Sequence, residues 1–356
     1  MKFTVSKNII ENIVSSLQPF LNKKDSSSIT SHIYLEVLEA NLIVKATDQE
    51  MGCQALISNI KDIESGKATV NGTNLLNIIR RLKDEDIVFE IEENNLSIKQ
   101  NRSNFKLPMY DADEYPSFVQ IENLDTLDID TINLINSIKK ITPSIDTNNP
   151  KFELNGALID IKSDKINFVA TDTRRLALVN MENISNTTTQ LIIPKKAIIE
   201  IQKLFLNESS ILYDNTHLVI QNDNYLFFTK LINGNFPDYE RIIPQNLNNI
   251  LKVSKKILIE SIKLVTSLDS KIKMTFNPNN IVFESLDENS ESKTQVFLET
   301  NITSSFFIAA NSKYILDFLS TTTNETITLG FNEANLPFYL EDGNFITIIM
   351  PIILDK

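Results

Sequence analysis

One strand-and-helix signature occurs three times in this chain at an even spacing of 124 residues, from position 3 to 127 to 251. The three strands are Phe3-Thr4-Val5-Ser6-Lys7, Leu127-Asp128-Ile129-Asp130-Thr131 and Leu251-Lys252-Val253-Ser254-Lys255. Each alternates and then reaches Ser or Asp, residue types that cap helix N-termini because their oxygen accepts a free backbone N–H. Behind each cap runs an apolar stripe at i, i+4, i+7: Ile10, Val14 and Leu17; Leu134, Ile138 and Ile141; Leu258, Ile262 and Val265. That spacing is one face of a helix.

Each third predicts a second helix, over 74–82 after Val70-Asn71-Gly72, over 195–205 after Ile192-Ile193-Pro194, and over 312–319 after Ile308-Ala309-Ala310-Asn311. Runs such as 33–37, 42–46, 87–91, 96–98, 166–170, 218–220, 281–284 and 345–350 read as strands. Ala46-Thr47-Asp48 recurs as Ala170-Thr171-Asp172, whereas the third copy has Phe283-Glu284-Ser285 there. Each third is thus two half-units of strand, helix, then several strands. A length of 356 residues suits two or three cores rather than one. The expected fold class is α+β: three tandem repeats, each with two helices packed on antiparallel sheets, over 1–124, 125–248 and 249–356. The boundaries fall in polar segments at 122–126 and 245–250, and 144–149, 183–189 and 321–325 read as loops.

Several chemistries find no residues. The glycines, at 52, 66, 72, 156, 234, 330 and 343, form neither GxGxxG nor GxxxxGK, so no phosphate cradle is expected. His32 and His217 sit in strand runs, and with the single Cys53 they offer no zinc spacing. No catalytic residue, metal ligand or cofactor site is nominated, although a carboxylate-based hydrolase stays open because Asp and Glu are abundant. One cysteine rules out an internal disulfide framework and points to a reducing cytoplasm. No run approaches the ~20 apolar residues that cross a bilayer, and the N-terminus lacks the features of a signal peptide, so no membrane partner is expected.

The chain carries a net charge of −12. Five of the six predicted helices are nonetheless net basic and the sixth is neutral, as in Arg80 and Arg81 on the second, with Lys83 just past its end, and Lys195, Lys196 and Lys203 against Glu200 on the fourth. Glu forms helices as well as Lys does, so helix propensity alone does not explain its scarcity there. A basic lining within an acidic body gathers a polyanion at one place. Lysines that touch phosphates read no bases, and the helices carry almost no aromatic platform for single strands. Duplex nucleic acid fits better. A scaffold that binds peptides and not DNA is the remaining alternative.

Four motifs then occur in order: Leu154-Asn155-Gly156; Ala170-Thr171-Asp172-Thr173-Arg174-Arg175-Leu176-Ala177; Asn233-Gly234-Asn235-Phe236-Pro237-Asp238-Tyr239-Glu240-Arg241-Ile242-Ile243-Pro244; and Ile348-Ile349-Met350-Pro351-Ile352. With the threefold repeat, they make the chain resemble the bacterial sliding clamps, the beta subunits of DNA polymerase III, along essentially its whole length. The resemblance implies three DNA-clamp domains forming half of a ring. A head-to-tail homodimer then closes around duplex DNA without sequence preference and acts as the processivity factor of the replicative polymerase. It implies a non-catalytic subunit with the ATP hydrolysis left to the clamp loader. Positions facing DNA would be Lys24, Arg80, Arg102, Lys195 and Lys196.

A pocket for clamp-binding peptides is implied at Leu154, Thr171, Arg175, Leu176, Pro237, Arg241, Ile242, Asn311, Tyr314, Ile348, Met350, Pro351 and Ile352. Its partners would be the clamp loader, the polymerase alpha subunit, repair polymerases, ligase and mismatch-repair proteins. The chain departs from the family at Thr173 and Arg174, where many members have Gly and His, at Ile353, which replaces a common Arg, and in continuing to Asp355-Lys356. Phe152-Glu153 stands where some relatives place an aromatic pair against DNA.

Overall fold

The computed structural model describes residues 1–185, 187–267, 270–286, 292–300, 302–303 and 305–354, so Asp355 and Lys356 lie outside it. The first third contains β1 (Lys2–Ser6), α1 (Lys7–Leu17), β2 (His32–Leu38), β3 (Asn41–Thr47), β4 (Met51–Ile57), β5 (Lys61–Glu64), β6 (Gly66–Asn71), α2 (Gly72–Arg81), β7 (Asp86–Glu92), β8 (Asn95–Gln100) and β9 (Ser103–Pro108). The second contains β10 (Asp125–Thr126), α3 (Thr131–Ile141), β11 (Gly156–Ile161), β12 (Lys165–Thr171), β13 (Arg175–Glu182), β14 (Thr189–Pro194), α4 (Lys195–Leu204), β15 (Ser210–Tyr213), β16 (His217–Gln221) and β17 (Tyr225–Lys230). The third contains β18 (Asn249–Ser254), α5 (Lys255–Val265), β19 (Lys271–Asn277), β20 (Asn280–Ser285), β21 (Lys293–Phe297), β22 (Phe306–Asn311), α6 (Ser312–Thr321), β23 (Thr326–Phe331), β24 (Phe338–Asp342) and β25 (Phe345–Ile349).

The predicted helix stripes are the buried ones: Ile10, Val14 and Leu17 on α1, and Leu258, Ile262 and Val265 on α5. Their N-termini differ from expectation. Ser6 and Ser254 stand at the N-cap, but neither side chain makes a capping bond. The first helical amides donate instead to backbone carbonyls just ahead of neighbouring strands, Lys7 N to Glu85 O at 3.3 Å and Lys255 N to Glu325 O at 2.8 Å. A strand-end carbonyl already fixed in place thus satisfies the first of the orphan donors at the helix start. α2 begins earlier than the sequence predicts, at Gly72, because Asn71 takes the cap and accepts from Asn74 N. The polar segments expected as connectors also run into structure, giving β10 at 125–126 and the start of β18 at 249–250.

Each repeat exchanges strands between its two halves. β1, which opens the first half, pairs with β7 of the second, while β6, which opens the second half, pairs with β2 of the first. The later repeats follow the same rule, with β10 on β15 and β14 on β11, then β18 on β23 and β22 on β19. Two further antiparallel pairings join successive repeats, β4 with β17 and β13 with β25. The resulting sheets run β5-β1-β7-β8-β9, β10-β15-β16-β17-β4-β3-β2-β6, β14-β11-β12-β13-β25-β24-β23-β18 and β21-β20-β19-β22.

By contacts the chain forms two compact units, one of residues 1–132 and 199–231, the other of 133–198 and 232–356. The first has a core in which Phe3 stacks on Phe89 at 4.8 Å and Phe20 meets Phe227 edge-on at 5.9 Å. The second is built around Phe276 and Phe331, stacked at 4.9 Å, and Phe318 and Phe345, stacked at 4.8 Å. Among the described residues, no helix is long and apolar enough to cross a membrane.

Candidate peptide pocket and basic surface

The second unit carries the motif residues on the seam between β13 and β25. Antiparallel register sets Arg175 opposite Ile349 and Leu176 opposite Ile348. Leu176 and Ile348 are buried in one apolar cluster with Leu158, Val169, Leu178, Ile192 and Tyr239, against which the half-buried Ile232, Phe236 and Ile243 pack. Leu154 is buried in the short 3-10 turn that leads into β11. Beyond β25 the chain stays pinned: Met350 N donates to Arg174 O at 2.9 Å and Ile352 N to Ala309 O at 2.7 Å. Pro351 and Ile352 are half-buried, while Met350 is exposed.

Arg175 is the electrostatic centre of this seam. Its side chain is only 4% exposed. Nε donates to Asp172 Oδ2 at 3.0 Å, Nη1 to Asp317 Oδ2 at 2.7 Å, and Nη2 to the Pro143 carbonyl. Its guanidinium carbon lies 4.5 Å from the centre of the Tyr314 ring. The fork geometry lets one cation hold two carboxylates and a carbonyl. Burial raises the Tyr314 phenol above its ordinary value, and the Asp172 charge adds to the effect. Thr171 Oγ1 donates to Arg175 O at 2.6 Å and accepts from Thr173 N at 3.1 Å. Thr173 holds a left-handed backbone, φ 70, the region that favours glycine. Asn311 caps α6, its side chain accepting from Lys313 N at 3.0 Å.

A third element is the segment from Phe236 to Ile242. Tyr239 reaches from the apolar cluster to a buried polar group: its hydroxyl donates to Asp160 Oδ2 at 2.6 Å and accepts from Asn167 Nδ2 at 2.7 Å. Pro237 is half-buried beside it and Ile242 is exposed. Arg241 turns to Asp238, Nε to Oδ2 at 2.6 Å. The structure therefore joins Thr171, Arg175, Tyr314, Leu176, Ile348 and Met350 through bonds, stacking or ladder register, whereas Arg241 pairs within its own segment. Asp317, the Pro143 carbonyl and Asp160 belong to this arrangement and were not singled out from sequence. Asp172 stands in the same motif as Arg175, three residues before it across the turn into β13, whereas Asp317 lies far along the chain and carried no such signal.

Of the basic residues, Lys24 is exposed in the loop after α1 and Arg102 in the turn between β8 and β9. Arg80 is exposed on α2, its Nε 3.8 Å from Glu11 Oε1. Lys196 is exposed at the start of α4. Lys195 is half-buried and donates to Ile145 O at 2.7 Å; burial lowers its pKa from the usual lysine value.

Comparison with known proteins agrees along the chain. Family models for the DNA polymerase III beta subunit match its N-terminal domain at residues 1–119, its central domain at 128–238 and its C-terminal domain at 240–352. The beta sliding clamp of Helicobacter pylori (strain J99) is 41% identical, covering 99% of this chain and all of that protein. The clamp of Buchnera aphidicola from Acyrthosiphon pisum is 26% identical over the full length of both. The crystal structure of the Helicobacter pylori beta clamp bound to a DNA ligase peptide superposes with a TM-score of 0.93, at 41% identity, covering 99% of this chain and 100% of that one. The Pseudomonas aeruginosa clamp bound to griselimycin shares the fold, with a TM-score of 0.92 at 22% identity and coverage of 99% and 100%. The chain belongs to the DNA polymerase III beta subunit family, the bacterial beta sliding clamps.

Proposed function

We propose that two copies of this chain close head to tail into a ring that encircles duplex DNA and tethers replication and repair proteins by their peptides. One observation carries the dimer. Within the chain, the outer strand of a first-half sheet pairs with the outer strand of the next repeat's second-half sheet, as β4 with β17 and β13 with β25. By the same rule β21 seeks a β9, and among the described residues both end their sheets. β21 leaves Phe297 80% exposed and β9 leaves Phe105 partly so, and bare edge strands with apolar side chains invite pairing. β21 of one copy against β9 of the other, twice over, is a closed two-fold arrangement. The same repetition supports three clamp domains at 1–124, 125–248 and 249–356.

Lys24, Arg80, Arg102, Lys195 and Lys196 are the residues we assign to the DNA backbone. Lys195 has its ammonium committed to Ile145 O, so it also braces the loop beneath it. The β13–β25 seam takes extended peptides from the clamp loader, the polymerase alpha subunit, repair polymerases, ligase and mismatch-repair proteins. The apolar floor at Leu176 and Ile348 anchors their leucine and phenylalanine side chains. The Helicobacter pylori relative with its bound DNA ligase peptide supports that reading. The subunit works without catalysis of its own and in the cytoplasm. Family membership disfavours both a hydrolase and a scaffold that ignores DNA.

The test is retention on DNA after loading by the clamp loader. A ring stays on nicked circles and slides off once they are linearised. Equal retention on both forms overturns encirclement. Charge reversal at Lys24, Arg80 and Arg102 together should lower loading while leaving peptide binding intact.

A further inference from the structure

The seam between β4 and β17, in the first unit, repeats the frame of the peptide seam. Thr47 Oγ1 donates to Met51 O at 2.9 Å and accepts from Gln49 N at 3.0 Å, as Thr171 does with Arg175 and Thr173. Gln49 holds φ 71 where Thr173 holds φ 70. Lys230 N donates to Glu50 O at 2.8 Å, as Met350 N does to Arg174 O. Gly52 stands opposite Phe228 in the ladder where Leu176 stands opposite Ile348. The segment Tyr115-Pro116-Ser117-Phe118 has the same aromatic-proline-polar-aromatic order as Phe236-Pro237-Asp238-Tyr239.

A cavity of about 400 Å³ opens on this first seam, lined by Pro116, Phe118, Phe228 and Lys230 among others. That is within the size range of ligand pockets, and concave apolar walls with a few polar groups are their usual make-up. Its chemistry differs from that of its counterpart. The Phe228 ring covers Gly52, where any side chain would collide with it, and Phe118 meets that ring edge-on at 5.0 Å. Lys230 takes the place of Met350 at the lip, 3.1 Å from the exposed Glu50 carboxylate. Lys45 Nζ lies 5.6 Å from the centre of the Phe118 ring. His217 on the wall is held near Asp214 at 3.7 Å. The Lys230–Glu50 pair is solvent-exposed and therefore weak, so Lys230 can exchange it for another carboxylate.

We propose that this cavity is a second peptide-docking site, for an extended segment carrying an aromatic or leucine anchor next to a carboxylate. The anchor lies against Phe118 and Phe228 and the carboxylate meets Lys230. The proposal rests on reading the β13–β25 seam as a peptide site, whose frame it shares.

The chain has no tryptophan, so Ser117→Trp places a single indole at the mouth of the cavity. The probe is an end-blocked peptide, Asp-Leu-Phe-Asp, added to the full-length protein. The expected result is a saturable blue shift of the indole. Adding Lys230→Glu should weaken it about tenfold, the loss expected when an attractive charge becomes a repulsive one. Ile352→Asp, which obstructs the β13–β25 pocket, should leave it unchanged. In the unsubstituted protein the Val119 amide resonance should move with the same affinity, which guards against an effect of the new side chain. An indole signal from the β4–β17 cavity that is absent at millimolar peptide, or that disappears with Ile352→Asp, overturns the proposal. If a labelled copy of the peptide still binds through the β13–β25 pocket, only the second site falls. If it binds nowhere, the peptide reading itself falls.

Discussion

The guanidinium of Arg175 lies over the ring of Tyr314, 4.5 Å from its centre, while Nη1 reaches Asp317 on the same helix one turn further on. One cation thus ties β13 to α6, and it leaves almost no guanidinium surface in water. Arg175→Ala strands two partly buried carboxylates, though Lys313 still pairs with Asp317 at 2.6 Å. Breaking such a pair on one side costs about 3 kcal/mol, and the denaturation midpoint should drop accordingly. Arg175→Lys should recover only part, since an ammonium cannot span both acids and stack on the ring. A midpoint unchanged by Arg175→Ala would show that the network carries no stability.

Tyr239→Phe removes the one donor that Asp160 receives from the Phe236–Ile242 segment. Asp160 keeps Gln190 at 2.9 Å and Lys162 at 3.6 Å, so the loss should be about 1–2 kcal/mol. The segment should also loosen, and peptide affinity at the β13–β25 seam should fall by more than stability alone requires. Titration at a temperature where both proteins are fully folded checks this. Equal affinities would mean that the hydroxyl does not position the rim.

Phe297→Lys puts a charge on the outer edge of β21, the device by which edge strands avoid pairing. If β21 and β9 form the joint between copies, sedimentation should show a shift from dimer to monomer at micromolar protein. Peptide binding in the second unit should persist. A dimer as tight as the parent would place the joint elsewhere.

His32 gives a pH dependence with a definite sign. It is 3% exposed, stacks on Tyr110 at 4.2 Å, and its Nδ1 has no hydrogen-bond partner among the described residues. Burial lowers its pKa from the ordinary value of 6.5. The unfolded chain therefore takes up a proton first as pH falls. Stability is complete above that ordinary value and declines below it. His32→Phe keeps the stacked ring and removes the titration. Its unfolding free energy should fall less than the parent's between about pH 7.5 and about pH 5.5. Parallel pH profiles would show that His32 accepts its proton within the fold at no cost.

Much of the architecture was readable because its signals are local. Ile10, Val14 and Leu17 recur at helical spacing on the same side chains that the core buries, and the alternation of 33–37 or 281–284 needs only neighbouring residues to declare a strand. The evenness of the repeat announced three equivalent pieces for the same reason. Pairing partners were not readable in this way. Nothing in Lys2–Ser6 says that it will leave its own half-unit for β7, because an edge chooses its partner by what the rest of the chain has already brought alongside. The same holds at the candidate site. The resemblance named Leu176 and Ile348, but only the β13–β25 register sets them face to face beside the pinned Met350 backbone. Asp172 shares Arg175's motif three residues away, but Asp317 and the Pro143 carbonyl reach it through the folded chain alone. Local periodicity selects elements at low entropic cost, whereas the seams close long loops and are settled only when the whole sheet is assembled.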